Sequence, residues 1–182
     1  LIGQELLKKK MEYLLSSNQV PHAQLFSGSP GYGVLPLVIE FSLMLLDGTS
    51  DSHSANGLGK ISQNPDLHFV FPVVKKSSEK AVYSHDYAKE WSSFLNESPY
   101  GDYSNWFELI SVGNKQGIIG IEEIKNLHKK MFLKAFSGKK KVCILWGVEK
   151  RKSQAANSFL KILEEPPDNT FFVLTAENTE LV

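Results

Sequence analysis

Gly28-Ser29-Pro30-Gly31-Tyr32-Gly33-Val34-Leu35 has the skeleton of a phosphate-binding loop and lacks the residues that make such a loop work. In the pattern G-x-x-x-x-G-K-[ST], Gly28 and Gly33 fall at the two glycine positions. Glycines there let backbone N–H groups curl around an anion, and the N-terminus of the following helix adds favourable partial charge. The lysine that should bridge the β- and γ-phosphates is Val34, and the hydroxyl that should hold Mg²⁺ is Leu35. A charge-assisted hydrogen bond contributes roughly 1.5–3 kcal/mol, and a valine supplies none of it. What precedes and follows gives the loop its context. Ala23-Gln24-Leu25-Phe26 reads as a short strand, and residues 34–46 are apolar on almost every face, the pattern of a buried helix against a sheet. Pro36 fits the first turn of that helix.

Working outward, Leu6, Leu7, Met11, Leu14 and Leu15 recur at helical spacing until Ser16-Ser17-Asn18 ends the run. Residues 47–64 are polar and glycine-rich, a loop or small insertion. Residues 67–73 alternate aromatic and β-branched side chains as a strand does. Residues 75–115 hold two of the three tryptophans among scattered prolines and glycines. They read as an irregular excursion with one short helix over residues 86–95. With few basic residues interleaved, its aromatics are expected to pack locally rather than to stack on bases. Ile121, Ile124, Leu127 and Met131 outline an amphipathic helix, with Glu122 and Glu123 in the first turn as the helix dipole prefers.

Val142-Cys143-Ile144-Leu145-Trp146 is a buried strand by composition. In a phosphate-loop hydrolase the corresponding strand ends in an acidic pair, an Asp for Mg²⁺ and a Glu to polarise water. Here those positions are Trp146 and Gly147. Glu149 follows two residues on, an offset that aims it elsewhere and makes it a solvated surface carboxylate. A further helix over residues 153–165 has Ala155, Phe159, Leu160, Ile162 and Leu163 as its apolar positions and stops at Pro166-Pro167. Residues 171–174 complete the set of core strands. Lys139-Lys140-Lys141 and Lys150-Arg151-Lys152 read as solvated turns, and His22, His68 and His128 as structural. No nucleophile or carboxylate partner stands near them at diagnostic spacing.

The 182 residues suit one domain with a real core. Apolar residues at 42% and charged residues at 22% fit a globular chain rather than a disordered one. With 20 basic and 20 acidic residues there is no global field for nucleic acid or membrane. The single cysteine, Cys143, excludes an internal disulfide and suits a cytoplasmic protein. The apolar run is too short to span a bilayer, and no signal peptide opens the chain.

Three segments together resemble the clamp-loader branch of the AAA+ family: residues 20–26 leading into the glycine loop, Ala155-Ala156-Asn157-Ser158-Phe159-Leu160-Lys161-Ile162-Leu163-Glu164-Glu165-Pro166-Pro167, and Thr170-Phe171-Phe172-Val173-Leu174-Thr175-Ala176. The second is similar to the A-N-x-L-L-K-x-L-E-E-P-P helix end of bacterial DNA polymerase III gamma/tau and delta-prime subunits. Ile2-Gly3-Gln4 and Asn64-Pro65-Asp66-Leu67-His68 add weaker matches, and residues 75–115 stay largely uncovered. The resemblance implies a three-layer α/β domain of the phosphate-loop NTPase type with a mostly parallel central sheet. It implies a single N-terminal AAA+-like domain over residues 1–182, a fragment without lid and collar regions, carrying an insertion near 75–115.

The resemblance also implies a nucleotide site at Gly28, Gly31, Gly33, Val34 and Leu35, an acidic-pair site at Trp146 and Gly147, and a sensor-like position at Thr175. With lysine, hydroxyl and both carboxylates replaced, the expected role is that of a non-hydrolysing, delta-prime-like subunit. Its implied partners are gamma/tau-like and delta-like loader subunits, with DNA touched only indirectly or weakly and no membrane. The arginine that such subunits offer a neighbour is not among these residues, and Arg151, the only arginine, sits elsewhere. Residues 47–64 lack the cysteines with which many relatives bind zinc, and His53 alone builds no tetrahedral site, so neither zinc nor another metal is expected. An alternative stays open, in which a gamma/tau-related chain binds ATP or ADP through the backbone N–H groups of the degenerate loop, with or without weak hydrolysis.

Overall fold

The computed structural model describes residues 3–47, 61, 64–75, 81–110, 116–137 and 139–182. The chain opens with α1 (Glu5–Ser16), β1 (Ala23–Ser27) and α2 (Val34–Asp47), followed by β2 (Leu67–Val70). After a 3₁₀ turn at Ser84–Tyr87 come α3 (Ala88–Glu97), α4 (Tyr103–Leu109) and α5 (Ile121–Phe132). The last part is β3 (Lys141–Leu145), a 3₁₀ turn at Val148–Lys150, α6 (Ser153–Glu164) and β4 (Thr170–Ala176). Among the described residues the sheet has four strands in the order β1-β4-β3-β2, and every pairing is parallel.

The two-residue period of the strands divides the core in two. Val142 and Ile144 of β3 and Val173 of β4 join Leu35, Val38, Phe41, Trp91, Phe94 and Trp106 on one face. Their neighbours Cys143, Leu145, Phe172 and Leu174 join Ile124, Leu127, Phe159 and Ile162 on the other. Alternate side chains point to opposite faces, so both faces are apolar and both are covered by helices. The step from β1 to β2 crosses the sheet in one direction and the later steps return. Right-handed crossovers therefore put α2 on one face and α5 and α6 on the other. This is the three-layer, parallel α/β arrangement expected from the sequence.

The excursion after β2 departs from that scheme. Its helices α3 and α4 pack on the α2 face, opposite the face that the β2–β3 crossover requires. The chain leaves and re-enters through a neck, where Val73 and Ile118 exchange backbone hydrogen bonds of 3.2 and 3.0 Å. Among its described residues the segment holds two helices where one was expected, since α4 follows α3. The local packing expected of its tryptophans holds: Trp91 and Trp106 are 1% and 0% exposed.

Three more expectations need correction. The strand expected over residues 67–73 ends at Val70. Beyond it the Phe71 N–H and C=O bond the Ser84 hydroxyl, and Pro72 has no N–H to offer a ladder. Leu160 is exposed on α6, and Leu6 and Leu7 on α1, so those helices bury narrower stripes than their apolar residues imply. Lys141 is buried rather than solvated, and its ammonium donates to the Lys130 and Met131 carbonyls at 2.6 and 3.1 Å, capping the end of α5.

Candidate functional site

The glycine loop lies at the carboxyl end of β1, where the Gly28 N–H donates to the Ala176 carbonyl of β4 at 3.3 Å. Gly31 and Gly33 adopt φ of 81° and 79°, a left-handed backbone open to glycine at little cost. A turn closed by the Tyr32 N–H on the Ser29 carbonyl brings the chain into α2, whose first turn is held by Leu37 N–H on Gly33 C=O. The loop thus has the backbone of its motif. Its side chains point to other uses: Val34 packs against the core at the head of α2, and Leu35 is buried within it.

At the end of β3, Trp146 is buried, its ring 4.6 Å from Tyr103, 5.3 Å from Trp91 and 5.5 Å from Phe94. Gly147 turns the chain at φ 80°, and its N–H donates to the hydroxyl of Thr175 at 3.1 Å. Thr175, the sensor-like position, is buried and ties the carboxyl ends of β3 and β4 together. Residues 28–31 and 33–36, Trp146 and residues 175–177 line one cleft with Pro99, Tyr100, Gly101 and Tyr103 of the excursion. So Gly28, Gly31, Gly33, Val34, Leu35, Trp146 and Thr175 line one cleft, while Gly147 is not in its lining and is tied to it through the bond to Thr175. The cleft leaves a cavity of about 30 Å³, space for one or two waters.

Glu149 is not the solvated carboxylate expected. Its Oε1 accepts the Tyr103 hydroxyl at 2.9 Å and the Glu177 N–H at 3.0 Å, joining α4, the turn after β3 and the end of β4. The Lys150 ammonium lies 5.1 Å above the Tyr103 ring. Burial, and then the Glu149 carboxylate, push the Tyr103 hydroxyl far above the range in which it would ionise. Burial followed by Glu149 and Asp102 raises the Glu177 carboxyl. Sequence reasoning missed Tyr103 and Glu177 because only the fold brings them to the loop.

His22, His68 and His128 stand apart from this cleft in structural settings. His22 Nε2 is 3.0 Å from the Leu163 carbonyl, His128 stacks on Phe132 at 4.4 Å, and His68 lies on β2. Among the described residues, no group of three or more His, Cys, Asp or Glu is placed to hold a metal. The zinc question rests on residues 47–64, most of which lie outside the described residues. No described helix is long and apolar enough to cross a membrane.

A parallel three-layer sheet with a glycine loop between its first strand and a buried helix defines a phosphate-loop NTPase-type domain, here with the reactive side chains replaced. The family described as DNA polymerase III, delta subunit, matches residues 3–182, and the chain belongs to that family. It is similar to the DNA polymerase III subunit delta' of Buchnera aphidicola subsp. Baizongia pistaciae, with 39% identity over 61 residues, 34% of this chain and 18% of that protein. The subunit delta' of Yersinia pestis is 38% identical over 74 residues, 41% of this chain and 22% of its own length. The aligned chain thus spans about a fifth of these curated relatives. The fold is similar to that of a crystal structure of a DNA polymerase III gamma subunit-related protein from Thermotoga maritima, with a TM-score of 0.51 at 18% identity, covering 94% of this chain and 40% of that one.

Proposed function

We propose that this chain is part of a cytoplasmic, delta-prime-like subunit of the DNA polymerase III sliding-clamp loader that does not hydrolyse ATP. It acts by contact with gamma/tau-like and delta-like subunits, holds no zinc, and meets DNA indirectly. One observation carries the non-hydrolysing part: Leu35 and Trp146, at the two positions that should ligand Mg²⁺, are both core residues. With Val34 in place of the lysine and Gly147 in place of the second carboxylate, the residues present do not fit a Mg²⁺-nucleotide. Phosphoryl transfer rests on positioning and charge stabilisation acting together, and each of those parts is missing. Membership of the delta subunit family and the delta' names of the relatives support the assignment to the loader.

Two measurements test the reading. Phosphate release by the purified protein with Mg²⁺ and ATP is expected to stay at background. A pull-down against loader subunits from the same cell is expected to retain a gamma/tau-like subunit. Turnover that a Gly33 substitution abolishes would overturn the non-hydrolysing reading, and failure to retain any loader subunit would overturn the assignment.

A further inference from the structure

A loop without its lysine still has backbone N–H groups that could hold a phosphate, so loss of hydrolysis does not by itself imply loss of nucleotide. We propose that residues 99–103 of the excursion are an intramolecular plug of the phosphate-loop cleft, latched by the hydrogen bond from Tyr103 to Glu149, which excludes nucleotide and holds the loop in one conformation without it. Four observations converge on this. Pro99, Tyr100, Gly101 and Tyr103 form one wall of the cleft whose other wall is the glycine loop. The Tyr103 ring lies against Trp146, at the position where the family pattern places a carboxylate for Mg²⁺. A Cβ at Gly147 would fall 2.8 Å from the Tyr103 hydroxyl, so the turn after β3 is shaped to accept this ring.

The fourth observation is the latch. Glu149 Oε2 is buried without a hydrogen-bond partner among the described residues, so Oε1 alone carries the bonds of that carboxylate. Its two donors are the Tyr103 hydroxyl and the Glu177 N–H. Removing the hydroxyl leaves a half-buried carboxylate, its Oε2 already without a partner among the described residues, with one donor, a state that loosens the junction of α4, β3 and β4. The excursion can be displaced as a unit only against the Val73–Ile118 neck and the aromatic cluster beneath it.

Amide hydrogen exchange on the full chain, read with and without ATP at millimolar concentration, tests the plug. In the unmodified protein ATP is expected to leave exchange at residues 28–35 unchanged. Tyr103→Phe and Glu149→Gln, which keep the volume, are expected to speed exchange there and at residues 146–149 and 175–177 by about tenfold, with core amides of α5 and α6 unaffected. Tyr103→Ala is expected to add a larger increase in the same three segments. If all three variants exchange like the unmodified protein, or if ATP protects the loop of the unmodified protein, the plug is overturned. Should Tyr103→Ala loosen the whole domain, the two volume-conserving variants decide the matter alone. None of these outcomes depends on phosphate release or partner capture, so they stand or fall separately from the proposed role in the loader.

Discussion

His68 shows how single residues are tuned by the sheet that holds them. It sits on the edge strand β2, and burial lowers its pKa to about 4 from an ordinary 6.5, with the positive charges of Lys130 and Lys141 adding to the effect and Asp66 opposing it. The folded protein therefore keeps this imidazole neutral where the unfolded chain protonates it. Its stabilising contribution is complete above pH 6.5 and is lost progressively as pH falls from 6.5 to 4. Over that window the loss approaches about 3 kcal/mol. Denaturant melts at pH 7 and pH 4.5 are expected to show the unmodified protein losing about 2 kcal/mol more than His68→Gln. An equal loss in both would refute the assignment. Asp66 beside it is a case the sequence hides. Its buried carboxylate accepts the Phe136 and Ser137 N–H groups at 2.6 and 2.8 Å, bonds that outweigh burial and hold its pKa below the usual range. Nothing local in Asn64-Pro65-Asp66 announces partners seventy residues away.

At the scale of elements, legibility follows the range of the forces involved. β1, α2, β3 and β4 are readable because local composition determines them: a strand buried on both faces is apolar throughout, and a helix buried all round is too. The excursion is less so. The signal for α4 is short, a reciprocal cap in which Asp102 accepts the Asn105 N–H and Asn105 accepts the Asp102 N–H. That is a capping box with asparagine in place of the usual Glu or Gln, followed by only seven helical residues. Its anchor is tertiary. Trp106 is fully buried, meets Phe71 and Trp91 edge-on at 5.0 and 5.3 Å, and donates its indole N–H to the Pro72 carbonyl at 2.8 Å. Trp106→Ala is expected to cost about 3–5 kcal/mol by removing a fully buried aromatic from this cluster. Urea unfolding measures it, and a cost under about 1 kcal/mol, that of an exposed substitution, would show the excursion to be peripheral to the fold.

For the whole molecule, the question is whether one residue could return hydrolysis to this scaffold. Val34→Lys is expected to leave phosphate release at background. The lysine restores one contact, about 1.4 kcal/mol or tenfold in affinity at most, and even that gain requires the segment around Tyr103 to give way. Mg²⁺ would still lack the hydroxyl at Leu35 and the carboxylate at Trp146, and Gly147 offers nothing to orient water. These deficits cannot be repaired one at a time without loss elsewhere. Leu35 is 4% and Trp146 5% exposed, and Trp146 packs on Trp91, Phe94 and Tyr103. Putting a hydroxyl and a carboxylate there buries polar groups where the fold now has apolar contacts, at a cost comparable to the marginal stability of a domain. Mg²⁺-dependent turnover by Val34→Lys alone, lost again on a Gly33 substitution, would show that the ligands for metal and water come from residues other than these.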